Sequence, residues 1–218
     1  MFSFTYFGYA AILVQFEKHL LFDPGIIGTT PLVAVNKVKT SYVIVTHEPD
    51  EHFGNAVEFA NQKGSILIGN SSVYDRARKA GIYGYAFTEI TMDSPLDIGA
   101  NILIIGYNAP RGGFLAPQNT AYLVRSKQGS VLHMGHPKGL GGLEGLKPDL
   151  LCVPVAGKKH GTLSPEEAVK ATSAINPRYA FPISGSGTQI HQFLALLAEQ
   201  NSSVIPVSLT PGQSFTLV

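Results

Sequence analysis

Apolar runs of strand length, each cut short by turn-forming residues, recur from one end of the 218-residue chain to the other. The clearest is Ser41-Tyr42-Val43-Ile44-Val45, a continuous β-branched and aromatic run that reads as a strand covered on both faces. A helical pattern at Phe53, Ala56, Val57, Phe59 and Ala60 follows it and stops near Lys63-Gly64. A doubly covered strand that feeds a helix belongs to a sheet with helices packed on it, so the fold class is α/β. Residues 11–16 and 19–22 predict a hairpin around Glu17-Lys18, closed by Asp23-Pro24-Gly25. Residues 65–69 read as a strand, with Ser71 or Ser72 capping a helix over 73–80. Further strands are predicted over 102–105, 120–125, 130–134, 150–155 and 179–183, with closing strands over 204–209 and 215–218. Ser164-Pro165-Glu166-Glu167 is a capping box with proline at N1, opening a helix that ends before Asn176-Pro177. A last helix is predicted over 189–200. Each half runs strands first and strand–helix units second, and the sheets are mixed.

Composition narrows the function classes. The 23 glycines and 14 prolines, about one residue in six, match many tight turns, and 14% charged residues exclude a disordered tail or a coiled coil. A net charge of +1 predicts no extended nucleic-acid or anionic-membrane footprint. No run approaches the ~18 apolar residues of a membrane span, and residues 1–9 lack the basic start of a signal peptide, so a cytoplasmic protein is expected. The one cysteine, Cys152, excludes an internal disulfide and a cysteine-rich zinc site, and its apolar neighbours predict a buried thiol.

Histidines and acids gather where strands end. His47-Glu48-Pro49-Asp50-Glu51-His52 packs two histidines and three acids into a strand-to-helix loop, where ligands collect in α/β folds. It is not the zincin pattern, because the histidines are five apart with Pro49 between them. A solvated acidic helix N-terminus explains the acids equally well. His133 and His136 stand at another strand end: His133, between Leu132 and Met134, reads as a core histidine, and His136 falls in the loop. His19, His160 and His191 read as surface or packing residues. Ser184-Gly185-Ser186-Gly187-Thr188 joins a strand to a helix, and its amides suit a small anion, although the P-loop lysine is missing.

In this order the pieces resemble the metallo-β-lactamase superfamily, nearest to small metal-dependent hydrolases similar to the ascorbate-6-phosphate lactonases, from about Phe7 to Pro182. Tyr6-Phe7-Gly8-Tyr9-Ala10-Ala11-Ile12-Leu13-Val14 resembles the opening strand, with Tyr9 where a histidine is usual; Leu20-Leu21-Phe22-Asp23-Pro24 resembles the LLIDP turn. The strand entering His47 resembles the approach to HxHxDH, residues 131–135 the approach to the bridging aspartate, and Phe181-Pro182-Ile183 the strand before the last histidine. The resemblance implies a four-layer αββα sandwich over residues 1–218 as one domain.

It also implies a remodelled site. Pro49 stands at the second histidine of the motif, Glu51 at its aspartate, Asn108 at the next histidine, His136 at the bridging aspartate and Ser184 at the last histidine. The matching positions make His47, Glu51, His52 and His136 the metal ligands, His47 and Glu51 catalytic, and Asn108 and Ser184 substrate-binding; Gly185, in the Ser184–Thr188 turn, and Arg111 are added as groups that could hold an anion. One zinc ion is implied rather than two, serving hydrolysis of an ester, lactone or phosphoester. The alternative is a metal-free small-anion-binding protein on the same fold. Both readings have a small-molecule substrate or ligand as partner.

Overall fold

Alternation along the first strand sets the sandwich: Phe2, Phe4, Tyr6 and Gly8 are buried while the residues between them are half-covered. The computed structural model describes residues 1–112, 117–200 and 203–218, with the backbone alone for Gln62, Lys63 and Lys159. The chain opens with β1 (Phe2–Gly8), β2 (Ala11–Gln15), β3 (His19–Phe22), a small hairpin of β4 (Ile26–Ile27) and β5 (Thr30–Pro31), and then β6 (Tyr42–Ile44). Helices α1 (Asp50–Phe53) and α2 (Ala56–Lys63), strand β7 (Ile66–Gly69), α3 (Ser71–Lys79) and β8 (Phe87–Glu89) complete the first half. The second half runs β9 (Pro95–Asp97), β10 (Leu103–Asn108), β11 (Thr120–Ser126), β12 (Gly129–His133), β13 (Leu150–Pro154), α4 (Pro165–Ile175), β14 (Tyr179–Ile183), α5 (Gly187–Glu199), β15 (Ile205–Pro206) and β16 (Ser214–Leu217).

Two mixed seven-stranded sheets result, in the orders β16-β1-β2-β3-β6-β7-β8 and β15-β14-β13-β12-β11-β10-β9. In each, antiparallel pairs give way to parallel ones: β3 pairs β6 in parallel, and β12 pairs β13 in parallel. Three apolar clusters separate four layers. Phe4, Ile12, Phe22 and Ile44 of one sheet meet Ile104, Tyr122, Cys152 and Phe181 of the other between the sheets. Val43, Phe59, Leu67 and Val73 pack the first sheet against α1–α3, and Leu151, Ala168, Phe193 and Leu197 pack the second against α4 and α5. This is the αββα arrangement expected, and Cys152 is fully buried within it, its thiol pushed up by desolvation.

Several local boundaries differ from expectation. The helix expected through residues 53–63 is two pieces, because Asn55 turns its amide to the Pro24 carbonyl and its side chain to the Val33 carbonyl instead of continuing α1. The cap of α3 is Asn70, not either serine: its Oδ1 accepts from the Val73 amide at 3.1 Å. The strand expected over 204–209 narrows to Ile205–Pro206, with the Val207 amide still bonded to the Ala180 carbonyl. The Ser164 box and the left-handed Asn176 that ends α4 are present as read.

Candidate metal centre

The chain leaves β6 into a loop tied to the opposite sheet, with the Thr46 carbonyl accepting from the Thr120 amide (3.0 Å) and from Asn70 Nδ2 (3.2 Å). Behind this loop lies Asp23, fully buried where β3 ends. Its Oδ1 accepts from the Thr46 amide and its Oδ2 from Thr46 Oγ1, both at 2.8 Å. Oδ2 also faces His52 Nδ1 at 2.8 Å. A carboxylate only accepts, so His52 Nδ1 carries the proton. The Thr46 hydroxyl has given its one proton to Asp23, so the 2.8 Å contact with His47 Nδ1 makes His47 the donor there. One carboxylate thus fixes both tautomers and leaves both Nε2 lone pairs free, the outer-sphere arrangement typical of metal-ligating histidine. Burial raises Asp23 to about 6, against the lowering effects of His133 and its Thr46 bonds, so it is ionised at neutral pH.

The second sheet contributes differently. His133 donates from Nε2 to the Ala10 carbonyl at 3.0 Å, and its ring stacks on Phe22, so it is the core histidine the sequence suggested. The next turn passes through Gly135 at φ +61°, where a Cβ would lie 2.2 Å from Asn119 Oδ1 and 2.7 Å from Thr46 Cβ. Asn119 holds the backbone of His136 (N to Oδ1, 2.9 Å) while donating to the Ala109 and Met134 carbonyls. Nothing among the described residues hydrogen-bonds either ring nitrogen of His136.

The three rings meet. Centroids of His47 and His52 are 3.9 Å apart, those of His52 and His136 4.4 Å, and those of His47 and His136 5.2 Å. One ligand atom from each lies within 4.8 Å of the others. Nitrogens bound to a tetrahedral ion at ~2.0–2.1 Å stand about 3.4 Å apart, so an ion would draw the rings inward by about an ångström. Buried and without a hydrogen-bond partner among the described residues are His47 Nε2, His52 Nε2 and both His136 nitrogens. Orphaned lone pairs are costly in a dry interior and are what a cation requires, so the residues fit a metal ion. Desolvation, the neighbouring imidazoles and the Arg111 guanidinium hold His47 and His136 well below the usual histidine range. Desolvation and Arg111 do the same to His52. Metal binding needs these neutral forms.

The other sequence candidates lie around this triad. Glu51 stands outside the convergent group, half-buried on a cavity of about 410 Å³ that it lines with Tyr9, Ile26, Asp50 and His160. Ser184 reaches the triad only through Tyr9: its amide bonds the Tyr9 carbonyl at 2.8 Å, and its buried hydroxyl has no hydrogen-bond partner among the described residues. Gly185 packs toward Val155, and the Ser186 amide is taken by Gln189 Oε1 in the capping box of α5 as the Ser184 amide is by Tyr9, which removes two donors from the expected anion cradle. Asn108 is exposed at the end of β10. Arg111 is half-buried, with Nη2 on the His160 carbonyl (3.0 Å) and Nε partnerless.

Two further residues belong to the site. Asp23 is a turn former by sequence pattern, and an acid between Phe22 and Pro24 at a strand end is the one local signal of its role. Tyr9, at φ +51°, sets its ring edge against His52 (5.3 Å) and His136 (5.6 Å), a conformation that bulky residues adopt mostly at functional sites.

Comparison with known proteins agrees with this geometry. The family described as "Beta-lactamase superfamily domain" matches residues 3–184. A UPF0173 metal-dependent hydrolase of Staphylothermus marinus is 29% identical over 213 residues, covering 92% of this chain and 90% of the relative. A second, from Thermofilum pendens, is 29% identical over 196 residues, covering 82% and 81%. Among solved structures, the metallo hydrolase Igni18 of Ignicoccus hospitalis superposes with TM-score 0.83 at 17% identity over 100% of this chain and 99% of its own. The metallo-beta-lactamase fold protein YhfI of Bacillus subtilis gives 0.77 at 16% identity over 98% of each. At these identities the two structures show the shared fold.

Proposed function

This chain belongs to the β-lactamase superfamily domain family, and from that premise we propose that, like the UPF0173 relatives, it is a metal-dependent hydrolase, with a single-ion site acting on an ester, lactone or phosphoester. The observation that carries the proposal is the convergence of three buried, neutral imidazoles whose free nitrogens have no other partner among the described residues. His47, His52 and His136 hold the ion, zinc being the ion best suited to three nitrogen ligands with a fourth position open. Such an ion, when bound, acidifies a water and polarises a carbonyl or phosphoryl oxygen.

The chain's own residues do the rest. Asp23 and Thr46 keep His47 and His52 in the ligating tautomer. Tyr9 shields two of the three rings from solvent. Glu51, half-buried on the cavity that Tyr9 also lines, is the candidate acceptor for the proton released as water is consumed. The test is metal per chain after exposure to excess zinc and desalting, for wild type and His52→Ala, with hydrolysis of ester, lactone and phosphoester substrates measured alongside. About one zinc, lost in the variant together with activity, is expected. No zinc in wild type overturns the hydrolase reading in favour of metal-free ligand binding.

A further inference from the structure

Beside Arg111, whose charge acts on all three histidines of the triad, a cavity of about 270 Å³ opens between the loops that leave β12 and β13 and the segment after β10. It falls just under the ~300–1,000 Å³ of whole small-molecule sites, the right scale for one group of a ligand. Lys138 and Lys158 line it, with Glu167 as the acid among its lining residues. Arg111 lies at its edge: a Cβ on the lining residue Gly161 would sit 3.4 Å from Arg111 Nη2. Lys138 lies across Gly112, where a Cβ would come 2.4 Å from its Cδ. The walls are braced, with the Lys138 amide on the Pro110 carbonyl (3.0 Å), Thr162 Oγ1 on the Pro137 carbonyl (3.0 Å) and Arg111 on His160.

The charges do not cancel. Glu167 is engaged by Lys158 at 3.6 Å and by the Ser164 amide at 2.9 Å. Arg111 and Lys138 have no carboxylate within ion-pair distance among the described residues, and residues 113–116 contain no acid in sequence. Arg111 Nε is also buried without a hydrogen-bond partner among the described residues. Two uncompensated cations, one of them a planar fork with an unused donor, match a tetrahedral dianion better than a monoanionic carboxylate. The turn that carries Lys158, on this cavity, also carries His160, which lines the larger cavity with Tyr9 and Glu51 and accepts from Arg111 through its carbonyl.

We propose that this cavity binds the phosphate group of a phosphate-bearing substrate, held by Arg111 and Lys138, with the rest of the substrate extending past Arg111 toward the triad. Calling the ligand a substrate rests on the hydrolase reading; the phosphate site itself does not.

The experiment is calorimetric titration of chelator-treated protein with inorganic phosphate at about pH 8, against acetate, for wild type, Arg111→Ala and Lys138→Ala. Wild type binds phosphate at least tenfold more tightly than acetate. Each variant loses about tenfold, the size expected for one charge-assisted hydrogen bond. Lys138 is exposed, so its variant folds and keeps the test decisive should Arg111→Ala fail to fold. Absence of phosphate binding, equal affinity in wild type and Lys138→Ala, or acetate bound as tightly as phosphate each overturns the proposal. Because the protein is metal-free, a failed zinc stoichiometry leaves the phosphate result standing, and failed phosphate binding leaves the metal centre standing.

Discussion

The two sides of the metal centre are built on opposite plans. On the first sheet, His47 and His52 are locked through their outer nitrogens into a chain that ends on Asp23. On the second, His136 is held by its backbone alone, and both of its ring nitrogens are orphans. The first side is pre-oriented before any ion arrives; the second becomes satisfied only when one does. The orientation of two of the three ligands is therefore concentrated in one buried carboxylate, and the loosest ligand is the one carried by a turn rather than by a hydrogen-bonded ring.

The largest test of that contrast is Asp23→Ala, which leaves the Thr46 amide, the Thr46 hydroxyl and His52 Nδ1 unpaired. At ~1–3 kcal/mol for each stranded donor, the loss is about 3 kcal/mol or more in urea unfolding, with zinc stoichiometry well below one. Asp23→Asn preserves volume but presents an amide donor to one of these partners. Its stability should therefore recover more than its metal binding; equal recovery would contradict the tautomer argument.

Gly135→Ala attacks the seam where the two sides touch. The left-handed backbone and the contacts with Asn119 and Thr46 together predict about 2–4 kcal/mol of destabilisation, read as a lowered melting temperature. A neutral effect would mean the seam has slack that the close approach of these groups denies.

Paired histidine variants sharpen the comparison in metal-free protein. His52→Ala removes a donor from Asp23 and should cost about 2 kcal/mol. His136→Ala leaves a similar cavity but strands no hydrogen-bond partner, so it should cost about 1 kcal/mol less, while abolishing metal binding just as completely. Equal costs would show that the two sides are not built differently.

The smallest effect is in pH. The three imidazoles resist protonation in the fold but accept it near 6.5 when unfolded. Below about pH 6.5 the unfolded state binds more protons, so metal-free stability falls with pH by up to about 1.4 kcal/mol per unit for each histidine. Asp23 has the opposite sign: raised from 3.8 to about 6, it takes up its proton first in the fold and offsets part of the loss over that interval. Urea midpoints for His136→Ala should therefore show a shallower acid slope by about one histidine's share. An unchanged slope would mean that His136 is not held neutral by the fold.

Much of this molecule was legible in its sequence where the signal is local. Period-two and period-3.6 patterns placed the strands and helices, and Ser164 with Glu167 placed a cap through contacts three residues apart. Residue types at strand ends put His47, His52 and His136 in loops that meet. What the sequence left open is set by contacts between distant segments. Asp23 reaches Thr46 and His52 across 23 and 29 residues because β3 and β6 lie side by side in parallel, an outcome of sheet order that no short window encodes. The break after Phe53 follows the same logic, since the Pro24 and Val33 carbonyls that capture Asn55 come from an earlier part of the chain. Glu51, two residues before Phe53 and adjacent to His52 in sequence, faces a different cavity because a helical step of one residue turns a side chain by roughly 100°. Local pattern therefore determined which loops carry the chemistry. Only the packing of two sheets decided which side chains in those loops converge, because burial leaves each polar atom the partners that distant segments bring to it.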